Sequence, residues 1–533
     1  MIRKNRKILI VIACSCIFTL TAQLGISYGD TALPKKYDLR EENRVTAVRD
    51  QGKVNGCWAF AALSSLESNM KDKNIDIDFS ENHMMTHHGF DLKPTDGGNI
   101  YMAVAYLASF KGPVLEEKDP YLGTPIKREI YGEDAQIKDV IFIPKRKDFK
   151  DNEKIKKAIH TYGAVYTNIK WDDDYYNKEK KAYGSTSKLK GYDHTVTIIG
   201  WDDDYPKENF KSNEIYGDGA FLCKNSWGTS FGDEGYFYIS YYDFNIGDTE
   251  NAVFVGREKQ YDNIYQYDPL GQTTEYGFGM DTAWFSNIFE AKASNEKLSG
   301  VSFYTRGEES EYEIWICRNF EDIHSFSTKE KIKSGKIDSM GYHTISIDSI
   351  ELSKNEKFAV IVKLITKGSK DPIAIESPKG FKSSKARSNQ GESYISTEGN
   401  DWKDITFYEP NTNVCLKAFT NGGEKVHVKR NLWIEKIDSI SFSNGEEAFL
   451  KLKIKNEGNQ SEKVALMVGL YDENNKMVNH SYINEEIKPN EEIKLSSSVY
   501  VPEKGKYTAR GFVWDDSDHG ISYNRNPIEI TIQ

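Results

Sequence analysis

Two rhythms of apolar residues divide this chain. Behind Cys57 the run Trp-Ala-Phe-Ala-Ala-Leu-Ser-Ser-Leu-Glu is apolar on nearly every face, the pattern of a buried helix that starts at the cysteine. Residues 196–201, Val-Thr-Ile-Ile-Gly-Trp, and 235–239, Gly-Tyr-Phe-Tyr-Ile, read as strands. After Tyr241 the helical patterns stop. Short alternating runs at 301–304, 312–316, 343–347, 358–362 and 414–418, separated by polar turns, predict an all-β sandwich or jelly roll over 257–421. The stretch 421–425, Asn-Gly-Gly-Glu-Lys, reads as a linker. Apolar runs at 449–454, 464–470 and 507–514 then predict an immunoglobulin-like sandwich over 422–533.

The amino terminus follows a third pattern. Arg3, Lys4, Arg6 and Lys7 precede the mostly apolar residues 8–26, and Ser27 and Gly29 flank Tyr28 as small residues, so 1–29 read as an export signal. The apolar segment approaches spanning length, which leaves an uncleaved anchor as the alternative. Residues 11–14, Val-Ile-Ala-Cys, loosely resemble a lipoprotein cleavage box, but the apolar run continues past Cys14. No later segment is long and apolar enough to span a bilayer. At 533 residues the chain is too long for one core, which leaves 30–256 as a separate domain before the two sandwiches.

That first domain carries the candidate chemistry. A cysteine at a helix start meets unpaired N–H groups and the helix dipole, both of which favour a thiolate at Cys57. Six residues upstream, Gln51 offers an amide donor of the kind an oxyanion hole needs. Asp193-His194-Thr195 opens the apolar strand at 196–201, and Lys224-Asn225-Ser226-Trp227-Gly228 follows. Hydrolysis of a peptide by a thiol needs a thiolate, a proton donor for the leaving amine and donors for the oxyanion, and these residues supply all three.

Gln-x5-Cys-Trp, Asp-His before a strand, and Asn-Ser-Trp-Gly, in this order, resemble the papain family of cysteine proteases over residues 34 to 250. Phe79-Ser80-Glu81-Asn82, Asp96-Gly97-Gly98-Asn99, Tyr106 and Gly112-Pro113 fit the same family. The resemblance implies an α+β domain with a helical half and a β-barrel-like half, followed here by the two all-β sandwich or jelly-roll domains. It implies Cys57 as nucleophile, His194 as its proton partner, Asn225 as the residue that orients His194, and Trp227 as the shield over that bond. Gln51 and the Cys57 N–H would bind the oxyanion. Gly97 and Gly98 would pair with an extended substrate backbone, and Thr195 and Asn168 would line the pocket for the second residue before the scissile bond. Both are polar and uncharged, so no strong demand for an acidic or basic side chain is expected there. Glu67 matches a buried, structural carboxylate of the family.

Some positions depart from the family pattern. The cysteine common three residues before the nucleophile is Val54 here, and Asn55-Gly56 replace the usual Gly-Ser. The stretch from His194 to Asn225 is long and reads as a polar surface insertion. Its Asp202-Asp203-Asp204 run could ligate a structural calcium, with a solvated charge run as the plainer reading. Otherwise no cofactor or metal is expected. His83, His87 and His88 read as the surface of a helix. The domain begins directly at residues 33–40, Leu-Pro-Lys-Lys-Tyr-Asp-Leu-Arg, which resembles a mature start, so activity is expected without removal of a long pro-segment. The stretch 261–271 resembles the opening of the lectin-like domain that follows some bacterial papain-like proteases.

Composition narrows the partners. A net charge of −11 argues against nucleic acid and against docking on anionic lipid. Of six cysteines, Cys14 and Cys16 would leave with the signal, Cys57 is the nucleophile and Cys223 a small buried hydrophobe. Cys317 and Cys415 could pair or stay free. The expected partners are protein or peptide substrates, with a cell-wall or host glycan through the lectin-like domain, where Trp284 or Trp402 would either stack on a sugar or fill the core. The sequence thus points to a secreted or cell-surface bacterial endopeptidase. The competing reading is an adhesin or carbohydrate-binding protein whose protease domain is vestigial or self-processing.

Overall fold

A computed structural model describes residues 32–71, 77–128, 132–186, 191–423, 432–436, 442–456, 461–473, 476–515 and 528–530. The expected export signal, with Cys14 and Cys16, and residues 424–425 of the linker lie outside the described residues, while Asn421 and Gly422 end a strand, Leu416–Gly422. The chain divides into two units, Met1–Pro34 and Lys35–Gln533; the elements named here all belong to the second. Among the described residues, no helix is long and apolar enough to cross a membrane.

Helix α1 (Cys57–Met70) is the axis of the first domain. Its Ala and Leu residues favour the helix and have no polar side chain to satisfy, so the helix is buried from Trp58 to Ser68 except at Ser64. The polar residues on it are spent on neighbours: Ser65 Oγ donates to Ala164 O at 2.6 Å and Asn69 Nδ2 to Tyr162 O at 2.8 Å. Helices α2 (Glu81–His87) and α3 (Ile100–Ala108) pack around α1 with Met84, Met85, Met102 and Leu107 in a shared core. Their first turns are closed by Ser80, which accepts from His83 N, and Asn99, which accepts from Met102 N. Helix α4 (Glu153–Tyr162) is amphipathic and buries Ile155, Ala158 and Ile159.

The second half of this domain is a sheet. The strand His194–Asp202 lies between Val165–Ile169 and Ala220–Lys224, with Ile169 opposite His194 and Asn168 opposite Thr195. The sheet does not stop at residue 257. Strand Gln136–Ile143 pairs with Met340–Leu352, placing Phe142 opposite Met340, so thirteen described strands form one sheet running through both regions. A six-stranded sheet, from Glu330–Ile337 through Lys357–Ile365 to Lys403–Asp404, belongs to the 257–421 sandwich. The two sheets enclose a core of Phe285, Val301, Phe303, Ile314, Val362 and Leu416. Farther along, a three-stranded and a four-stranded sheet enclose Leu450, Leu452, Leu466, Val468 and Leu470.

Some expectations change, and others gain structural detail. Residues His83 and His88 are buried, not on a helix surface: His83 Nδ1 bonds the Tyr106 hydroxyl at 2.8 Å, and its ring stacks on His87 at 4.0 Å. The α2 helix is enclosed on the side the histidines occupy, which the short motif could not reveal. The insertion after His194 is not merely polar surface, because Tyr205, Phe210 and Ile215 close over Ala182 and Ala220. Each aspartate of the 202–204 run faces a lysine: Lys36, Lys156 and Lys35 in turn. Trp284 and Trp402 are buried in a common cluster with Phe326. Cys317 and Cys415 are both free and buried, and the Cys317 thiol donates to Ser325 O at 2.9 Å.

Candidate active site

Cys57 is the first residue of α1, and the preceding Gly56 makes no side-chain cap. The Cys57 sulfur is hydrogen-bonded to the Thr195 side chain and to the N–H groups of Thr195 and Trp58. Thr195 Oγ1 donates its single proton to Asn168 Oδ1 at 3.0 Å. The buried Tyr166 hydroxyl also bonds the Thr195 side chain. Of the two residues expected to line a specificity pocket, Thr195 is buried against the nucleophile, and the half-buried Asn168 reaches it only through Thr195.

His194, at the start of its strand, is held from two sides. Its Nε2 lies 2.7 Å from Asn225 Oδ1, and the Trp227 ring stacks on it at 4.5 Å. Ser226 N–H also donates to Asn225 Oδ1, at 2.8 Å, which fixes the amide with its oxygen toward the histidine. An acceptor there requires the proton on Nε2, so Nδ1 is the nitrogen left for the sulfur. Trp171 packs edge-on against Trp227 at 4.9 Å, extending the shield.

Burial acts on both reactive groups. It pushes the Cys57 thiol up, against the three hydrogen bonds that favour the thiolate. It pushes the His194 imidazole down to about 4, although Asn225 and Asp193 oppose the shift. The thiolate expected from the helix start alone is thus outweighed by desolvation. A dry cleft disfavours either charge by itself.

Gln51 is buried and fixed by four bonds. Its Oε1 accepts from Ser226 Oγ and its Nε2 donates to Val54 O, each at 2.7 Å. Its N–H donates to Ser226 O at 2.8 Å and its carbonyl accepts from the Tyr121 hydroxyl at 2.7 Å. One Nε2 proton is uncommitted. Ser226 and Tyr121 are supporting residues that the sequence reading missed; Ser226 lies in the Asn-Ser-Trp-Gly block and was available, whereas Tyr121 carries no local signal.

Gly97 and Gly98 lie beside this loop. Gly97 has φ +94°, and a methyl there would stand 3.5 Å from Asn55 Cβ; one on Gly98 would stand 2.4 Å from Trp58 Cε2. Gly98→Ala should therefore push Trp58, next to Cys57, out of place and lower kcat/KM by about 10²-fold. Unchanged kinetics in a correctly folded variant would remove Gly98 from the cleft floor.

Behind the site, Glu67 accepts from Thr46 Oγ1 at 2.5 Å and from Phe79 N–H at 2.9 Å, in keeping with a structural role. Burial raises Glu67 to about 7 and Glu81 to about 8, with Arg49 and Lys224 among the cations that oppose this. These residues and Asn225 surround a cavity of about 20 Å³.

Residues 33–256 match the papain family cysteine protease model and residues 264–420 the lectin like domain model. The clostridial cysteine protease Cwp84 after propeptide cleavage superposes with a TM-score of 0.66 at 28% identity, over 73% of this chain and 99% of that one. A structure of the cysteine protease and lectin-like domains of Cwp84, a surface layer associated protein of Clostridium difficile, gives a TM-score of 0.65 at 28% identity, over 73% and 89%. The cysteine protease Amb a 11.0101 of Ambrosia artemisiifolia is 32% identical over 216 residues, 39% of this chain and 51% of its own. The chain spans 51 to 59% of the length of such curated relatives.

Proposed function

We propose, from the papain-family cysteine protease domain that this chain carries at residues 33–256 and the lectin-like domain behind it, that it is an exported cysteine endopeptidase acting on surface or extracellular proteins. The observation that carries the reading is the His194–Asn225 hydrogen bond under Trp227, set beside the strand residue that holds Cys57. In this reading Cys57 passes its proton to His194 Nδ1 and its sulfur attacks the carbonyl carbon. The oxygen, now negative, is met by the free Gln51 Nε2 proton and the Cys57 N–H. His194 gives its proton to the leaving amine, and water then hydrolyses the thioester with His194 as base. The extracellular setting rests on the amino-terminal sequence and on the likeness to a surface layer associated protein. Glycan binding by the lectin-like domain is the accompanying proposal for partners.

Labelling with an irreversible epoxide inhibitor of papain-like enzymes tests the reading: one equivalent should attach to the native chain and none to Cys57→Ala. Labelling that persists without Cys57, or none at all, would sink it.

The pH profile follows from the burial of the pair. Below the His194 value of about 4 the pair holds two protons and no thiolate can form. Raising pH through about 4 removes one proton, leaving the single proton that sulfur and ring exchange. The last proton leaves only above the ordinary thiol range, because burial raises Cys57. The expected result is a kcat/KM that climbs through about pH 4, stays level across neutrality and falls at high pH. An acid limb near the ordinary histidine value would mean that the cleft is wetter than this structure.

A further inference from the structure

A cavity of about 240 Å³ opens where the protease domain meets the lectin-like domain, and neither domain encloses it alone. Asn99 and Tyr101 line it from the start of α3, and Gln272, Arg306 and Phe381 line it from the other side. Asn99 directly follows Gly98, so one lining residue of the cavity is the chain neighbour of the expected cleft floor.

One of its donors has no partner. Arg306 Nε is buried without a hydrogen-bond partner, and Arg306 Nη2 is 3.4 Å from Glu275 Oε2. Gln272 is 6% exposed. A buried donor of this kind is costly unless a ligand satisfies it. Around them stand aromatic rings: Phe90 is buried, the Tyr101 ring is held by its hydroxyl donating to Glu250 at 2.6 Å, and Phe381 is 54% exposed at the rim.

We propose that this cavity is a substrate subsite shared by the two domains, which takes peptide residues lying well before the scissile bond. The proposal rests on the endopeptidase reading above. A peptide paired with Gly97 and Gly98 is extended, at about 3.3 Å per residue, so the residues farthest from Cys57 reach the lectin-like side. Arg306 and Gln272 donate to its carbonyl oxygens, and the rings receive a bulky apolar side chain. Glu275 balances Arg306, so an acidic side chain gains nothing there. An oligosaccharide also suits rings and amides, but the continuity with the cleft floor through Asn99 favours a peptide.

The test is a series of quenched fluorogenic peptides, identical across the scissile bond and extended from two to six residues on its amino-terminal side. The full chain should cleave the long peptides with a kcat/KM about tenfold above the short ones, most strongly with Phe or Leu at the distal positions. In Arg306→Ala and in Phe381→Ala the long-to-short ratio, measured on one preparation so that the active fraction cancels, should fall toward one. A native ratio that is flat with length overturns the proposal, as does a high ratio that survives both substitutions. Binding of chitohexaose that is lost in Phe381→Ala, with no effect of peptide length, would assign the cavity to a glycan and also overturn it. Absence of any Cys57-dependent cleavage, even of the short peptides, would instead overturn the endopeptidase reading itself.

Discussion

Cys57→Ala should remove peptide hydrolysis, with a loss on the order of 10⁴-fold or more in kcat, while the melting temperature stays close to that of the native chain. The sulfur is half-buried and its bonds are to Thr195 and Trp58, which keep other partners in the strand and helix. Little packing is lost when a methyl replaces the thiol. His194→Ala should cost similar activity, but with a lower melting temperature, because that ring is buried and stacked on Trp227. The contrast matters: a core residue loses fold and activity together, and a nucleophile loses activity alone. Turnover of a fluorogenic peptide beside thermal unfolding measures both. Joint collapse in Cys57→Ala would reduce the residue to a structural one.

Gln51→Ala should lower kcat by about 10²–10³-fold with little change in KM, since an oxyanion donor acts on charge that develops only in the transition state. Its geometry makes the expectation specific. Ser226 Oγ and Val54 O hold the amide with one proton to spare, so the donor is already aimed before substrate arrives. Removing it also leaves the Ser226 hydroxyl and the Val54 carbonyl without these partners, which should cost about 1–3 kcal/mol of stability. Tyr121→Phe is the natural comparison. It frees the Gln51 loop from one bond and leaves the amide in place, so its effect on kcat should be smaller. A KM effect in Gln51→Ala that exceeds the kcat effect would move Gln51 from the oxyanion to substrate binding.

The sequence alone determined the candidate residues of the site and the order of a papain-like region before a β-rich one. Cys57, His194 and Asn225 stand in short blocks, Gln-x5-Cys-Trp, Asp-His and Asn-Ser-Trp-Gly, because each must occupy a defined place on a helix start, a strand start or a tight turn. Such places impose residue types on their immediate neighbours, and those types are readable. Alternating runs such as 358–362 were readable as strands for a similar reason, since one face of each must be apolar. Only the tertiary structure decided what surrounds these residues. That His83 and His88 are enclosed, that Thr195 lies beneath the sulfur, and that Tyr121 braces Gln51 across seventy positions are long-range contacts. The pairing of Gln136–Ile143 with Met340–Leu352 is of the same kind. No local rhythm encodes a partner so distant. Desolvation is likewise a property of the closed cleft, where it outweighs the helix start that taken alone would make Cys57 a thiolate.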